Sequence, residues 1–469
     1  MKTPELFGVA ILFVSFALAK EKAPLPKDLP AYGPEKPSQA PAVKATKLEN
    51  GLTVWLISEP GFPKVSFAVA ARGGMAADPA DRPGISELLS KALDQGTKSR
   101  TAKQIAEEIQ AAGGDIDIQA GKDAIVVSTS FLSSQTDGAL TVLADVLENA
   151  SFPDNEVALA KRNLADSLRQ REAEPSFQAA RAMARVLFGD NPYHVTAPTQ
   201  ESVEAATSTD LRRIYGQRFR PDQALLVVVG DFENDKMTDL LNAKFAAWKA
   251  PAEAPVVVQA RFSNTLKPVV SLVPRPNSVQ TTLWFGTLGP LRSDPDYEAA
   301  DVANAIYGGT FSSRLVSNIR EDKGYTYAAF GLVHTYRAAG VLITRADVRN
   351  EVTPASVNEM TYELNRLATT SPTEEELATA RRYLVGIEAI QLQSRASVAG
   401  ELANLWVLDL PPEEIGAYGQ RVARITAAQV DTAARKYFPA SRARIVVVGE
   451  EKIVRDAFEL YGLPVETLH

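Results

Sequence analysis

The sequence contains no cysteine, which excludes disulfides, thiolate metal sites and cysteine nucleophiles together. Histidine is nearly absent as well: His194, His334 and His469 are the only three, so metal or acid/base chemistry must draw on these or on carboxylates. Basic runs are also missing. The 50 Lys and Arg are scattered among 57 Asp and Glu for a formal charge of −7, which leaves no phosphate-binding stripe and argues against a nucleic-acid partner. No hydrophobic run reaches the roughly 20 residues of a membrane-spanning helix.

The longest apolar run is near the start. Lys2 precedes Phe7 to Ala19 (FGVAILFVSFALA), which ends in the small-x-small pattern Ala17-Leu18-Ala19. This pattern predicts a signal peptide over residues 1–19, hence a periplasmic or secreted bacterial protein exported by a Sec-type route, with no stable membrane insertion after cleavage. The proline-rich stretch 20–45 reads as an extended linker with too little apolar content to pack.

Hydrophobic residues make up 45% of the whole sequence, enough for globular cores, and the chain after residue 45 repeats itself. VSFAVAARGGMAADPADRPGISELLSKALDQGT (65–97) runs parallel to TTLWFGTLGPLRSDPDYEAADVANAIYGGT (281–310), and TSTDLRRIYGQRFRPDQALLVVVGDF (207–232) to TAAQVDTAARKYFPASRARIVVVGEE (426–451). Two similar domains, 46–250 and 251–469, follow, joined through 248–262. Valine-rich strands at Thr53–Ile57, Val65–Ala71, Ala124–Ser130 and Leu225–Val229 alternate with paired helices, two of them opened by capping boxes at Thr101–Gln104 and Thr373–Glu376. The expected class is α+β, each domain a mainly antiparallel sheet with helices packed on one face.

One helix stands out. In Gly84–Thr97, Ile85, Leu88, Leu89, Ala92 and Leu93 form a core-facing stripe, while Glu87, Ser90 and Lys91 share the opposite face. Taken alone this is an amphipathic helix with a solvated polar face, on which Glu87 and Lys91 are oriented for an i, i+4 ion pair.

The segments NGLTVWLISEP (50–60), GISELLSKALDQGT (84–97), FPDNEVALAKRNLADSLRQREAEP (152–175), NPYH (191–194), RFRPDQALLVVVGDF (218–232) and GGTFSSRLVSNIREDKGYTYAAFG (308–331) resemble, in order and spacing, the pitrilysin or insulinase-type family of zinc peptidases, whose two-domain bacterial members are similar to the mitochondrial processing peptidase. The resemblance covers nearly the whole chain after residue 45. It implies half of a clamshell, and it aligns the inverted zinc motif His-x-x-Glu-His so that the two histidines fall on Glu87 and Lys91 and the general-base glutamate on Ser90. The family's third ligand, a glutamate, falls near Asp166-Ser167, where none stands. A lysine ammonium repels a dication, and serine cannot take a proton from metal-bound water. No metal is therefore expected in this chain.

The resemblance also implies that Arg320 and Tyr327, seven residues apart, face substrate, Arg320 holding peptide carbonyls and the Tyr327 hydroxyl stabilising a tetrahedral oxyanion. Tyr325 competes for the second role, and Arg320 can instead pair with Glu321 or Asp322. Gly308, Gly309 and Thr310 precede them as a substrate-binding turn. His194 reads as a structural loop residue. The implied function is that of a non-catalytic subunit in a heterodimer with a zinc-bearing paralogue, enclosing extended peptides; the alternative is an inert peptide-binding or assembly module.

Overall fold

In the computed structural model, residues 40–256, 258, 270–459 and 462–468 are described. The signal peptide, all of the proline-rich linker before residue 40, and His469 lie outside them. The first sheet comprises β1 (Lys44–Lys47), β2 (Thr53–Ser58), β3 (Lys64–Arg72), β4 (Ile116–Ala120), β5 (Ala124–Leu132) and β6 (Ala224–Gly230), in the order β1-β2-β6-β3-β5-β4. Lys44 and Ala45, expected in the linker, instead open β1, because pairing with Leu56 and Trp55 of β2 satisfies their backbone groups. The second sheet comprises β7 (Val270–Pro274), β8 (Gln280–Gly289), β9 (Thr326–Thr335), β10 (Gly340–Arg349), β11 (Arg444–Gly449) and β12 (Val465–Thr467), in the order β12-β7-β11-β8-β10-β9.

The repeat is visible in this topology. β2-β6-β3-β5-β4 and β7-β11-β8-β10-β9 have the same order; β2 and β6, like β7 and β11, run parallel, and the remaining neighbours within each five are antiparallel. Helix starts repeat as well: Thr101, Thr207, Thr373 and Thr426 each close a reciprocal capping box with the residue three positions on, pairing the first-turn N–H with the cap hydroxyl.

Each sheet packs its own helices on one face, as the α+β reading expects. The opposite face is covered by a helix from the other half. Leu225, Val227 and Val229 of β6 pack with Val398, Leu402 and Leu405 of the helix Arg395–Val407. Reciprocally, Val446 and Val448 of β11 pack with Ala179, Met183 and Leu187 of the helix Pro175–Phe188. This exchange explains why β6 (ALLVVVG) and β11 (RIVVVG) are buried at every position and read as continuous apolar runs rather than alternating ones. At roughly 1.5–3 kcal/mol for each fully buried aliphatic side chain, neither sheet keeps its outer face dry without the other half.

Candidate functional site

The helix Ile85–Ala92 is fixed at its start. Gly84 adopts φ +76°, and a Cβ there would lie 2.2 Å from the Pro198 nitrogen, so only glycine fits. Asp78 accepts from the Ser86 N–H at 3.1 Å and from its hydroxyl at 2.5 Å, satisfying a first-turn donor. Asp78 is itself buried, with the Arg218 guanidinium 3.9 Å away. Burial pushes the Asp78 carboxyl up to about 6, against the opposing pull of Ser86 and Arg218. Ile85, Leu88, Leu89, Ala92 and Leu93 enter the core as their spacing predicts.

The polar face is only partly solvated, Lys91 remaining exposed, and here the structure corrects the sequence-based expectation. The helix Asp154–Ala173 lies across it and leaves Ser90 only 3% exposed. Glu87 pairs with Arg171 of that helix at 2.8 Å rather than with Lys91. A half-buried guanidinium from the covering helix outcompetes an exposed ammonium, which keeps more of its hydration in water. The Ser90 hydroxyl donates to the Glu87 carbonyl at 2.8 Å, the usual back-bond of serine within a helix. Between the two helices a groove of about 260 Å³ is bordered by Glu87, Lys91, Gln95, Asn163 and Ser167. Of the two candidates for the third ligand position, Ser167 lies in this groove, whereas Asp166 turns away to Arg169 and a different surface.

Zinc does not fit these residues. The groove offers two carboxylates, Glu87, already paired with Arg171, and Glu156, together with the Ser167 hydroxyl and the Lys91 ammonium. Among the described residues, no group of three or more His, Cys, Asp or Glu is arranged to hold a metal ion. His194 Nδ1 is bonded to the Asn191 carbonyl at 2.9 Å in the turn Pro192–His194. His334, on β9, stands edge-on to Tyr336 with ring centroids 4.5 Å apart, and burial lowers its pKa.

In the second half, Arg320 lies in the wide π-type turn Ser317–Asp322, beside the start of β9. The register of β9 against β10 shifts so that Tyr327 and Ala328 together face Asp347, a bulge that turns Tyr327 outward to 88% exposure. Tyr325 is half-buried, its N–H donating to the Ile319 carbonyl. The Arg320 guanidinium lies 5.7 Å from the Tyr327 ring centre and 5.4 Å from that of Phe311, so a half-buried arginine is held between two exposed aromatic side chains. Nη1 of Arg320 is also 2.9 Å from Glu321, the neighbour expected to compete for it. Phe311 was not singled out from sequence; a phenylalanine directly after Gly-Gly-Thr in a polar loop is the signal that marks it. Gly308 and Gly309 have a packing role: a Cβ on Gly308 would lie 2.8 Å from the Gly331 nitrogen of β9, and the neighbouring Asn304 amide donates to the Gly331 carbonyl at 3.0 Å. Thr310 closes the turn through its hydroxyl to the Ala305 carbonyl, 3.3 Å away.

These features agree with comparison to known proteins. Residues 53–195 match the family described as insulinase (peptidase family M16), and residues 205–384 match the peptidase M16 inactive domain. An uncharacterized zinc protease of Streptomyces coelicolor is 24% identical over 84% of this chain and 86% of its own length. Another, of Rickettsia felis, is 24% identical over 79% of this chain and 89% of its own. Among solved structures, a peptidase M16 inactive domain from Pseudomonas fluorescens superposes with TM-score 0.80 at 24% identity, covering 87% of this chain and 98% of that one. A protease from Helicobacter pylori gives 0.82 at 19%, covering 88% and 100%. The paired sheets and the two matching domains together make this chain a member of the M16 (insulinase) peptidase family.

Proposed function

We propose that this chain is the non-catalytic, zinc-free subunit of a heterodimeric M16 metallopeptidase, in which a paralogue with an intact motif supplies zinc and this chain encloses the peptide. The observation that carries the reading is the contrast between the two halves. In the first half, Glu87 is tied to Arg171 and the Ser90 hydroxyl to the Glu87 backbone carbonyl. At the second-half pair, Tyr327 stands in solvent and the half-buried Arg320 lies over its ring, paired with its chain neighbour Glu321. An exposed phenol held against a guanidinium costs ordering entropy and buries little area, so stability alone does not account for it. In the complex, Arg320 would hold backbone carbonyls and Tyr327 would donate to the developing oxyanion.

The second reading, an inert binding or assembly module, is favoured by the Arg320–Glu321 contact, which gives Arg320 a partner without any substrate. Co-purification with a zinc-bearing paralogue, followed by peptide cleavage with Arg320→Ala and Tyr327→Phe, separates the two. A fall in turnover with assembly intact supports the first; unchanged turnover supports the second. A peptide enclosed in extended form, docked on a sheet edge, accounts for recognition of backbone more than sequence.

A further inference from the structure

A cavity of about 570 Å³ opens where the last turn of the helix Pro175–Phe188 meets the β9–β10 hairpin and the start of β11, and neither the helix Ile85–Ala92 nor the Arg320 turn lines it. Its walls are apolar at Leu187, Leu288 and Ala338, and its charged groups are Lys436, Arg442 and Arg444. No acidic side chain lines it among the described residues. Two of the three cations are engaged: Lys436 pairs with Asp296 at 2.6 Å, and Arg442 donates to the Lys436 carbonyl at 3.2 Å.

Arg444 is different. It is the first residue of β11, on the face that packs against the exchanged helix, and only 6% of it is exposed. Its guanidinium makes no hydrogen bond or ion pair with any described residue, and burial lowers its pKa with no neighbouring carboxylate to raise it. Nearby carbonyls at the helix end are engaged elsewhere, that of Arg185 by the Gly189 N–H and that of Phe188 by the Asn191 N–H. With no protein partner among the described residues, the guanidinium is left to the solvent of the cavity, where an entering anion meets an unopposed cation and gains a charge-assisted hydrogen bond. A single buried guanidinium presents a fork that matches one carboxylate, while the apolar walls suit the body that carries it.

We propose that this cavity binds a carboxylate carried on an apolar body, such as the C-terminal carboxylate of a short peptide, with Arg444 as its partner. The site lies apart from the Arg320–Tyr327 pair and does not depend on the role assigned to that pair.

The test is titration calorimetry on the full chain with three probes: acetyl-Ala-Ala-Leu as the free acid, the same peptide as its C-terminal amide, and inorganic phosphate. The free acid is expected to bind one site per chain and the amide at least about tenfold more weakly, with phosphate weaker than the acid. Arg444→Met should abolish the preference for acid over amide while leaving the melting temperature unchanged or higher, because no partner is stranded; Arg444→Lys should keep a reduced preference. Equal binding of acid and amide, phosphate binding as tight as the peptide's, undiminished acid binding by Arg444→Met, or no binding of any probe would each overturn the proposal. The acid and amide comparison on the unmodified chain decides the matter even if the Met variant does not fold.

Discussion

Arg171 donates to the carboxylate of Glu87 at 2.8 Å, joining the helices Asp154–Ala173 and Ile85–Ala92 by a charge contact. Arg171→Ala should therefore cost about 1 kcal/mol of stability at most, since Arg171 is one-third exposed. Chemical denaturation of the single variants and of the double variant with Glu87→Ala would measure the coupling, which is expected to be favourable and to weaken with salt.

The groove beside Glu87 and Lys91 is lined by Ser167 and not by Asp166, so a third ligand introduced to meet that pair belongs at Ser167. A chain carrying Glu87→His, Ser90→Glu, Lys91→His, Arg171→Ala and Ser167→Glu is expected to take up about one zinc per chain by elemental analysis. The same set with Asp166→Glu in place of Ser167→Glu should not. Equal uptake by both would show that the groove does not define the ligand set.

At the second-half site, Tyr327 is almost wholly exposed and sits in a bulge, so Tyr327→Phe and Arg320→Ala should change unfolding free energy by no more than about 0.5 kcal/mol. In a complex with a zinc-bearing paralogue each should lower turnover by about 10- to 100-fold, the range expected for loss of one oxyanion donor or backbone clamp. Phe311→Ala, which removes one wall of the guanidinium sandwich, should give a smaller loss in the same direction. Steady-state kinetics on the mixed complex would check all three.

Because each sheet borrows a helix from the other half, the halves should unfold together. Leu402, fully buried between the helix Arg395–Val407 and the first sheet, is a test point. Leu402→Ala should cost about 2–5 kcal/mol and still give one calorimetric transition. Two separated transitions would show that the halves fold independently.

Glu148 has a buried, unbonded carboxylate oxygen, and burial followed by repulsion from Asp145 pushes its carboxyl up to about 7. A carboxyl raised on folding binds its proton more tightly in the native state, so its contribution is full below the ordinary carboxylate range and is lost as pH rises through about 7. Melting temperature should fall between pH 5 and pH 8, and Glu148→Gln should flatten that fall. Asp78, raised to about 6 by burial, contributes in the same direction and accounts for slope that remains.

Local and repeated features were legible in the sequence: the capping boxes, the valine strands, the two-fold repeat and the apolar stripe of the motif helix all rest on short-range periodicity. The features that were not legible depend on partners far away in the chain. Nothing near Arg395 or Pro175 marks those helices as covering the other half's sheet. The Glu87–Arg171 pair spans 84 positions, so the local Glu87–Lys91 geometry was the only one visible. Tyr327 and Tyr325 are alike in sequence, and the bulge opposite Asp347 is what separates them. Arg444 reads as an ordinary first residue of a strand until the cavity beside it is seen to be lined by no acid among the described residues.

The central claim is that the motif helix keeps its place in the fold while its residues cannot hold zinc. The most direct test is the zinc content and peptidase activity of the purified chain, alone and mixed with a zinc-bearing paralogue. The account predicts no stoichiometric zinc and no cleavage by the chain alone, with activity only in the mixture. Stoichiometric zinc together with peptide cleavage by the isolated chain would contradict it.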